Sequence, residues 1–259
     1  MASKNSLPIS GTMTVMVIVV VLVPSALLDP TADFKADFLK KCNEFPEDPK
    51  ICEDKFKIFE KAYVGIEESD ITRDSYNDLF KITPFKHPCE KTMFYSGTHD
   101  LATGFTKNRK DFFSVEDTLL GHALAGKEWC GKIGSKETFL EDECTGNARL
   151  QFWLKMSVEF AKHTCKDLHV MLDGTPHPFF PGTALAEEEI PYLHHPKVES
   201  LTVILVVDKK TPGEDKCNNE SLNELKEFMT EEKIPYDCKE VTRAHIEKLT
   251  EQGTGNIFE

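Results

Sequence analysis

The stretch Leu201 to Val207, "LTVILVV", decides how this chain is read. Seven residues with hardly a polar break are too short for an ordinary helix, and their β-branched content suits a strand buried on both faces. A second run of the same character, "LHVML", spans Leu168 to Leu172. Between and after these runs the pattern changes. "SLNELKEFMTEEK", from Ser221, alternates as an amphipathic helix, and "IPYDCKEV" after it reads as a further strand. Strand and helix in alternation imply a parallel sheet with crossover helices.

Upstream of Cys165 the chain is helical instead. "NARLQFWLKMSVEFAKHTC", residues 147 to 165, carries apolar residues on nearly every face and reads as a largely buried helix. Phe56, Phe59, Ala62 and Tyr63 recur at helical spacing within a charged segment, residues 31 to 88. In "SVEDTLLGHALAG" the Ser114 hydroxyl and the Asp117 carboxylate form a capping-box pattern that marks a helix start. The expected fold is therefore α+β. A helical N-terminal part packs against an α/β C-terminal part with a short parallel sheet, and a cleft lies between them.

Composition narrows the partners and the compartment. With 259 residues, 40% of them hydrophobic, the chain is long enough for one large core or two modest ones. A net charge of -13 argues against nucleic acid and anionic membrane as main partners. Residues 13 to 23, "MTVMVIVVVLV", followed by "PSA", fit a secretory signal peptide within residues 1–26, with a signal anchor as the alternative. Membrane attachment is expected only if that segment is retained. Eight cysteines without a CxxC pair, behind such a segment, imply disulfides. They admit on the order of a hundred pairings. The natural sequence-adjacent ones are Cys42 with Cys52, Cys130 with Cys144 and Cys217 with Cys238, which leaves Cys89 to Cys165. Asn219 heads a glycosylation sequon, Asn219-Glu220-Ser221.

Several enzyme classes lose support. The chain has no G-x-G-x-x-G after a strand, no P-loop, no H-E-x-x-H and no G-x-S-x-G. His194-His195 would point to opposite faces of an extended chain, so a shared metal is not expected. What remains is a set of aromatics and carboxylates bordering the expected cleft: Tyr95, Glu116, Trp153 and the acidic run "AEEEI", Ala186 to Ile190.

These residues carry a resemblance. "FSVEDTLLG", "WCG" at Trp129 to Gly131, "FWLKMSVEFA" and "HVMLDG" at His169 to Gly174 resemble the ADP-ribosyl cyclase family of extracellular NAD glycohydrolases. The likeness runs from about Cys42 to Cys238. It implies the same four cysteine pairings, a helical domain of residues 31–88 plus 114–164, and an α/β domain of residues 89–113 plus 165–259. It also implies an NAD glycohydrolase that releases nicotinamide and ADP-ribose, with cyclic ADP-ribose as a further product and hydrolysis dominant. NAD is then the substrate and no cofactor is expected. The expected location is secreted or on the outer face of the plasma membrane, and self-association as a homodimer stays open.

The resemblance places Glu116 on a carboxylate that contacts the nicotinamide amide and biases cyclisation against hydrolysis. Trp153 falls on a stacking tryptophan and Ser157 on a hydroxyl near the phosphates. Tyr95, where the family usually carries tryptophan, joins the substrate-binding set with Ser96 and Asp117. His122 replaces a common tyrosine, and Gly97 stands in a region where some members carry a basic residue. For the catalytic glutamate, counting back from Lys197-Val198 lands on Glu189, and counting forward from Asp173-Gly174 lands one residue later, on Ile190. Glu189 is the expected catalytic residue. In an extended segment it would share a face with Glu187, its rival, while Glu188 points away.

The chemistry is economical. A pyridinium leaves as neutral nicotinamide, so no strong general acid is needed. The requirement is a carboxylate beneath the anomeric carbon, against the positive charge that develops on the ribose. Two other readings compete: a silent receptor-like domain that kept the fold, and a generic retaining glycosidase with paired carboxyls.

Overall fold

The computed structural model describes residues 30–132, 134–135, 144–174, 177–209 and 216–258. The expected signal segment, residues 1–26, lies outside them. No helix among the described residues is long and apolar enough to cross a membrane.

The chain begins with α1 (Pro30–Cys42), α2 (Pro49–Lys61) and α3 (Asn77–Ile82), reaches strand β1 (Met93–Ser96), and continues through α4 (His99–Asn108), α5 (Leu119–Leu124) and α6 (Asn147–His163). Strands β2 (Lys166–Asp173) and β3 (Val198–Val207) follow, then α7 (Glu220–Glu231), β4 (Tyr236–Thr242) and α8 (Arg243–Gln252). The four strands form one sheet in the order β1-β2-β3-β4, every pair parallel. The α+β reading and the parallel sheet are thus what the structure shows.

Both faces of the sheet are covered, which is why β2 and β3 read as unbroken apolar runs. Val170, Leu172, Val203 and Leu205 pack with Phe160 of α6 and Leu222 and Leu225 of α7. Met93, Met171, Ile204 and Val206 pack on the opposite face with Phe105 of α4 and Ile246 and Leu249 of α8. A third cluster holds the helical part together and is built of aromatics: Phe38, Phe56, Phe59, Tyr76, Trp129 and Phe152 are all fully buried. Burying side chains of that size contributes roughly 1.5 to 3 kcal/mol each.

α6 joins the two parts. Its N-terminal half gives Ala148 and Phe152 to the aromatic cluster, and its C-terminal half gives Phe160 and Ala161 to the sheet. Leu150 is 52% exposed, so the helix is less enveloped at its start than its apolar content predicts. A glycine in left-handed geometry, Gly146 (φ 74°), opens it.

All four disulfides pair as expected: Cys42–Cys52, Cys89–Cys165, Cys130–Cys144 and Cys217–Cys238. The bridge between Cys89 and Cys165 spans 76 residues and ties the entry of β1 to the entry of β2. On the chain-entropy account a loop of that size gives the largest contribution, about 4 to 5 kcal/mol.

The capping box at Ser114 exists, yet it closes only a single 3-10 turn, Val115–Asp117. Thr118 then caps α5 separately, accepting from the Gly121 N–H. The predicted helix start is therefore two short elements with a corner between them. That corner is tight: a β-carbon on Gly121 would lie 1.9 Å from the Val115 carbonyl oxygen.

Candidate active site

A cavity of about 400 Å³ opens at the C-terminal end of β1, between the sheet and α6. Crevices at the carboxyl ends of parallel strands are common ligand sites. Tyr95 and Ser96 reach it from β1, Trp153 and Ser157 from α6, Glu116 from the 3-10 turn, and Glu189 from the segment after β2. Six of the seven residues expected to act or bind are thus brought together. Asp117 is not among the residues lining this cavity. Its carboxylate accepts from both the N–H and the hydroxyl of Ser114, and it borders a separate apolar cavity of about 260 Å³.

The acidic run is where the structure departs most from expectation. Leu185–Glu189 is a π-helical turn, with the Ile190 N–H donating to the Leu185 carbonyl, rather than an extended segment. Successive side chains on such a turn step by roughly a quarter turn, so three adjacent carboxylates take three directions. Glu187 is exposed and accepts from the Gly182 N–H at 2.8 Å. Glu188, expected to point away from Glu187 and Glu189, is 5% exposed and accepts from both terminal guanidinium nitrogens of Arg73. Glu189, 7% exposed, lines the cavity. Wide helical turns of this kind recur at functional sites because they re-aim one side chain.

The electrostatics of Glu189 are unusual for a carboxylate. Burial pushes its pKa up to about 8; the hydrogen bond with Ser157 opposes that shift, and the nearby charge of Glu116 adds to it. No cation is paired with it among the described residues. Glu116 is held differently. Tyr95 donates its hydroxyl to Oε1, and His99 Nε2 lies 3.6 Å from the same oxygen. Its other oxygen, Oε2, is buried without a hydrogen-bond partner among the described residues. Burial, and then the charge of Glu116, raise the Tyr95 phenol, which therefore remains a donor.

The walls are aromatic. Trp153 is half-buried and meets Phe152 edge-on, with ring centroids 5.2 Å apart. Tyr95 meets His99 in the same manner at 5.6 Å. Ser157 lies one helical turn beyond Trp153 on the same face of α6, which is how it reaches Glu189. His122, one of the noted departures, is outside the cavity and pairs with Glu44 at 2.8 Å. Gly97 has φ +71°, and a β-carbon there would stand 3.0 Å from Cβ of Asp173, so the bend after β1 calls for glycine.

Two lining residues carry no sequence signal of their own. His99 opens α4, and Arg149 lies on α6 one turn before Trp153. Only the spacing of Arg149 from Trp153, four residues along a helix, could have pointed to it. The groupings of metal-donor type among the described residues each contain two disulfide sulfurs, which offer no thiolate.

Comparison with known proteins supplies the lineage. A family model described as ADP-ribosyl cyclase matches residues 31–252. The mouse protein "ADP-ribosyl cyclase/cyclic ADP-ribose hydrolase 1" is 29% identical over 244 residues, covering 87% of this chain and 80% of its own. Porcine CD38, solved with a covalent ribo-F-ribose-5'-phosphate intermediate, superimposes with a TM-score of 0.73 at 30% identity, covering 81% of this chain and 96% of that one. Aplysia cyclase, solved with the substrate NGD and the product cGDPR, gives a TM-score of 0.73 at 25% identity over 87% of this chain and 95% of that one. The chain belongs to the ADP-ribosyl cyclase family.

Proposed function

We propose that this protein is an NAD glycohydrolase that cleaves the bond between nicotinamide and ribose and passes the ADP-ribosyl group mainly to water. Closure to cyclic ADP-ribose is the minor course. The observation that carries the reading is Glu189: a carboxyl buried with no cation beside it among the described residues, in a cavity that holds a second carboxylate and aromatic walls. Such a group is poised to receive a cationic substrate. When the pyridinium ring enters, its charge favours the ionised form of Glu189, and the carboxylate then faces the anomeric carbon.

In this reading the C1'–N bond breaks with its electron pair going to nicotinamide, while Glu189 stabilises or bonds the ribosyl carbon. Water then adds to that carbon, releasing ADP-ribose and a proton. Cyclisation replaces the water by a nitrogen of the substrate's own adenine. Trp153 and Tyr95 wall the nicotinamide and ribose, and a cation over such a face gains about 0.5 to 2 kcal/mol. Glu116 offers its unpartnered oxygen to the carboxamide N–H, and Ser157 orients Glu189. Ser96, at the end of β1, contacts the phosphate side. Asp117 acts at one remove, by holding the turn that carries Glu116.

The covalent ribosyl intermediate of porcine CD38 supports a carboxylate that bonds the sugar. Four disulfides fit an oxidising compartment, and with the N-terminal apolar segment they support export from the cell. The test is to incubate the purified protein with NAD and follow nicotinamide, ADP-ribose and cyclic ADP-ribose by chromatography. No nicotinamide above a Glu189→Gln control would leave the silent-domain reading in its place. A product mixture rich in cyclic ADP-ribose would overturn the preference for hydrolysis.

A further inference from the structure

We infer that the apolar cavity behind the Val115–Asp117 turn is a second binding site, for a neutral planar aromatic molecule with one hydrogen-bonding group. Its occupant shifts, through the turn, how Glu116 divides the ADP-ribosyl group between water and ring closure. The site is read from its own residues, and the effect on products rests on the proposed NAD glycohydrolase activity.

Position comes first. Val115 and Glu116 line the cavity that holds Glu189, while Asp117 and Thr118, next along the chain, line the other, of about 260 Å³. One 3-10 turn is therefore a wall common to both. It is pinned from within by the two hydrogen bonds that Ser114 gives to the Asp117 carboxylate, and by the Thr118 hydroxyl, which donates to the Val115 carbonyl at 2.6 Å. Leu119 and Leu120, which open α5, continue the wall on the far side. A molecule seated against Asp117 and these leucines presses on a unit short enough to move as one piece, and Glu116 belongs to it.

The lining sets the chemistry of the occupant. Phe45, Phe85, His87 and Phe113 supply rings, and the last two are stacked with centroids 5.4 Å apart. Planar aromatic molecules pack on such faces in offset or edge-on contacts. The charges there are already matched. Glu47 is paired with Lys86 and with the buried Lys55, and Asp117 is taken up by Ser114. Burial, and then the neighbouring His163, push the His87 pKa down to about 4, so this ring is neutral at physiological pH. An ion entering here gives up its hydration and meets no unmatched charge among the described residues, which favours a neutral molecule.

One polar atom is left over. Thr83 follows α3, lines the cavity and is 5% exposed, and its hydroxyl is buried without a hydrogen-bond partner among the described residues. Folded proteins pair nearly all their buried polar groups, so an unpaired one points to a partner from outside the chain. Three such side-chain atoms occur among the described residues. One is Oε2 of Glu116, at the cavity proposed for the carboxamide; the second is the Thr83 hydroxyl, across the turn; the third, on Tyr236, lies at neither cavity. The Thr83 hydroxyl gives the aromatic occupant its one hydrogen bond and fixes its orientation.

Fluorescence titration with 2-naphthol, and with naphthalene as the probe that lacks the hydroxyl, tests the site without turnover. Native protein should prefer 2-naphthol by about three- to tenfold, the worth of one neutral hydrogen bond. Thr83→Val keeps the shape and removes an unpaired hydroxyl, so it should melt at or above native and bring the two affinities within about twofold. Thr83→Ser should keep most of the preference. The anion 2-naphthoate should bind about tenfold more weakly than 2-naphthol, and equal binding overturns the neutral assignment. With NAD as substrate, 2-naphthol should shift the ratio of cyclic to linear ADP-ribose by about twofold or more, and Thr83→Val should need about three- to tenfold more probe for the same shift. No binding at about millimolar 2-naphthol overturns the site, and so does a preference that Thr83→Val leaves within twofold of native. Binding that depends on Thr83 but leaves the product ratio unchanged overturns the coupling through the turn. The same binding by a protein that releases no nicotinamide sinks the glycohydrolase reading, and the effect on products with it, and keeps the site.

Discussion

Glu188 and Glu189 are neighbours on one π-helical turn, both almost completely buried, and they illustrate two ways of hiding a carboxylate. Glu188 is matched by the fork of Arg73, across a sequence distance of 115 residues, and fastens the turn to the helical part. Glu189 has a hydroxyl and a second carboxylate for company, and burial raises its pKa to about 8. A matching cation compensates a buried carboxylate and makes it costly to separate the pair, whereas burial without one perturbs the carboxyl toward reactivity. The same backbone turn does both, because its first job holds the second residue in place.

The comparison breaks most visibly at Glu189. Glu189→Gln should lower kcat for nicotinamide release by about a thousandfold or more, measured by chromatography of single time courses. The same substitution should make the protein more stable, not less. The folded protein keeps a proton on Glu189 between the ordinary carboxyl value of 4.5 and about 8, where the unfolded chain has lost it. Stability therefore falls as pH rises through that window, and the glutamine variant escapes the loss. Native and variant should melt together near pH 4 and diverge above it, by an amount on the order of several kcal/mol once pH passes 8. A variant that melts below native at pH 8 would mean that Glu189 is held ionised in the free protein.

The pH dependence of catalysis sharpens the same contrast. With an ionised Glu189 required and its pKa near 8, kcat/KM for NAD should rise about tenfold per pH unit below that value and then level. The limb in kcat should lie lower, because the bound pyridinium favours the carboxylate. Coincident limbs in the two profiles would argue against any charge interaction between ring and carboxylate.

Glu188 predicts a change of another kind. Arg73→Ala leaves a buried carboxylate alone, and since Arg73 is itself 40% exposed the cost should be about 1 to 3 kcal/mol in urea unfolding, below that of a fully buried pair. The loss in kcat should be several-fold and should come through the displaced turn. A loss in activity as large as that of Glu189→Gln would place Glu188 in the chemistry.

The fold was largely readable before any coordinates because the sheet is sealed on both sides. Strands covered twice have no polar face to obscure them, so "LTVILVV" and "LHVML" announce themselves. The aromatic cluster likewise follows from the spacing of Phe56, Phe59 and Tyr63. The acidic run did not yield to the same method. Three adjacent glutamates carry no hydrophobic period, and nothing local distinguishes an extended segment from a π turn. Its shape is set by remote partners, Arg73 for Glu188 and Ser157 for Glu189. Asp117 carried two readings, half of a capping box with Ser114 and a place in the substrate-binding set, and the structure shows the first: its carboxylate accepts from the Ser114 N–H and hydroxyl, away from the cavity. Arg149 and His99 passed unnoticed because a lone basic residue on a helix is ordinary until a cavity is found beside it.

The smallest expected effect tests how Glu116 is positioned. One of its oxygens is tied to the Tyr95 hydroxyl and the other is buried without a partner among the described residues. Tyr95→Phe removes the tie and keeps the ring. A hydrogen bond to a charged group is worth about 1.5 to 3 kcal/mol, but His99 at 3.6 Å stands ready to take its place. The expected outcome is therefore a fall in kcat/KM of about three- to tenfold, with a shift in the ratio of cyclic to linear ADP-ribose, both measured by chromatography. Tyr95→Trp should keep the wall and donate from a different point, so it should move the product ratio more than the rate. If Tyr95→Phe leaves rate and ratio within twofold of native, the phenol is only part of the wall. Glu116 is then aimed by its own turn, through the two hydrogen bonds that Ser114 gives to Asp117, and the carboxylate on the far side of that turn becomes the residue to change.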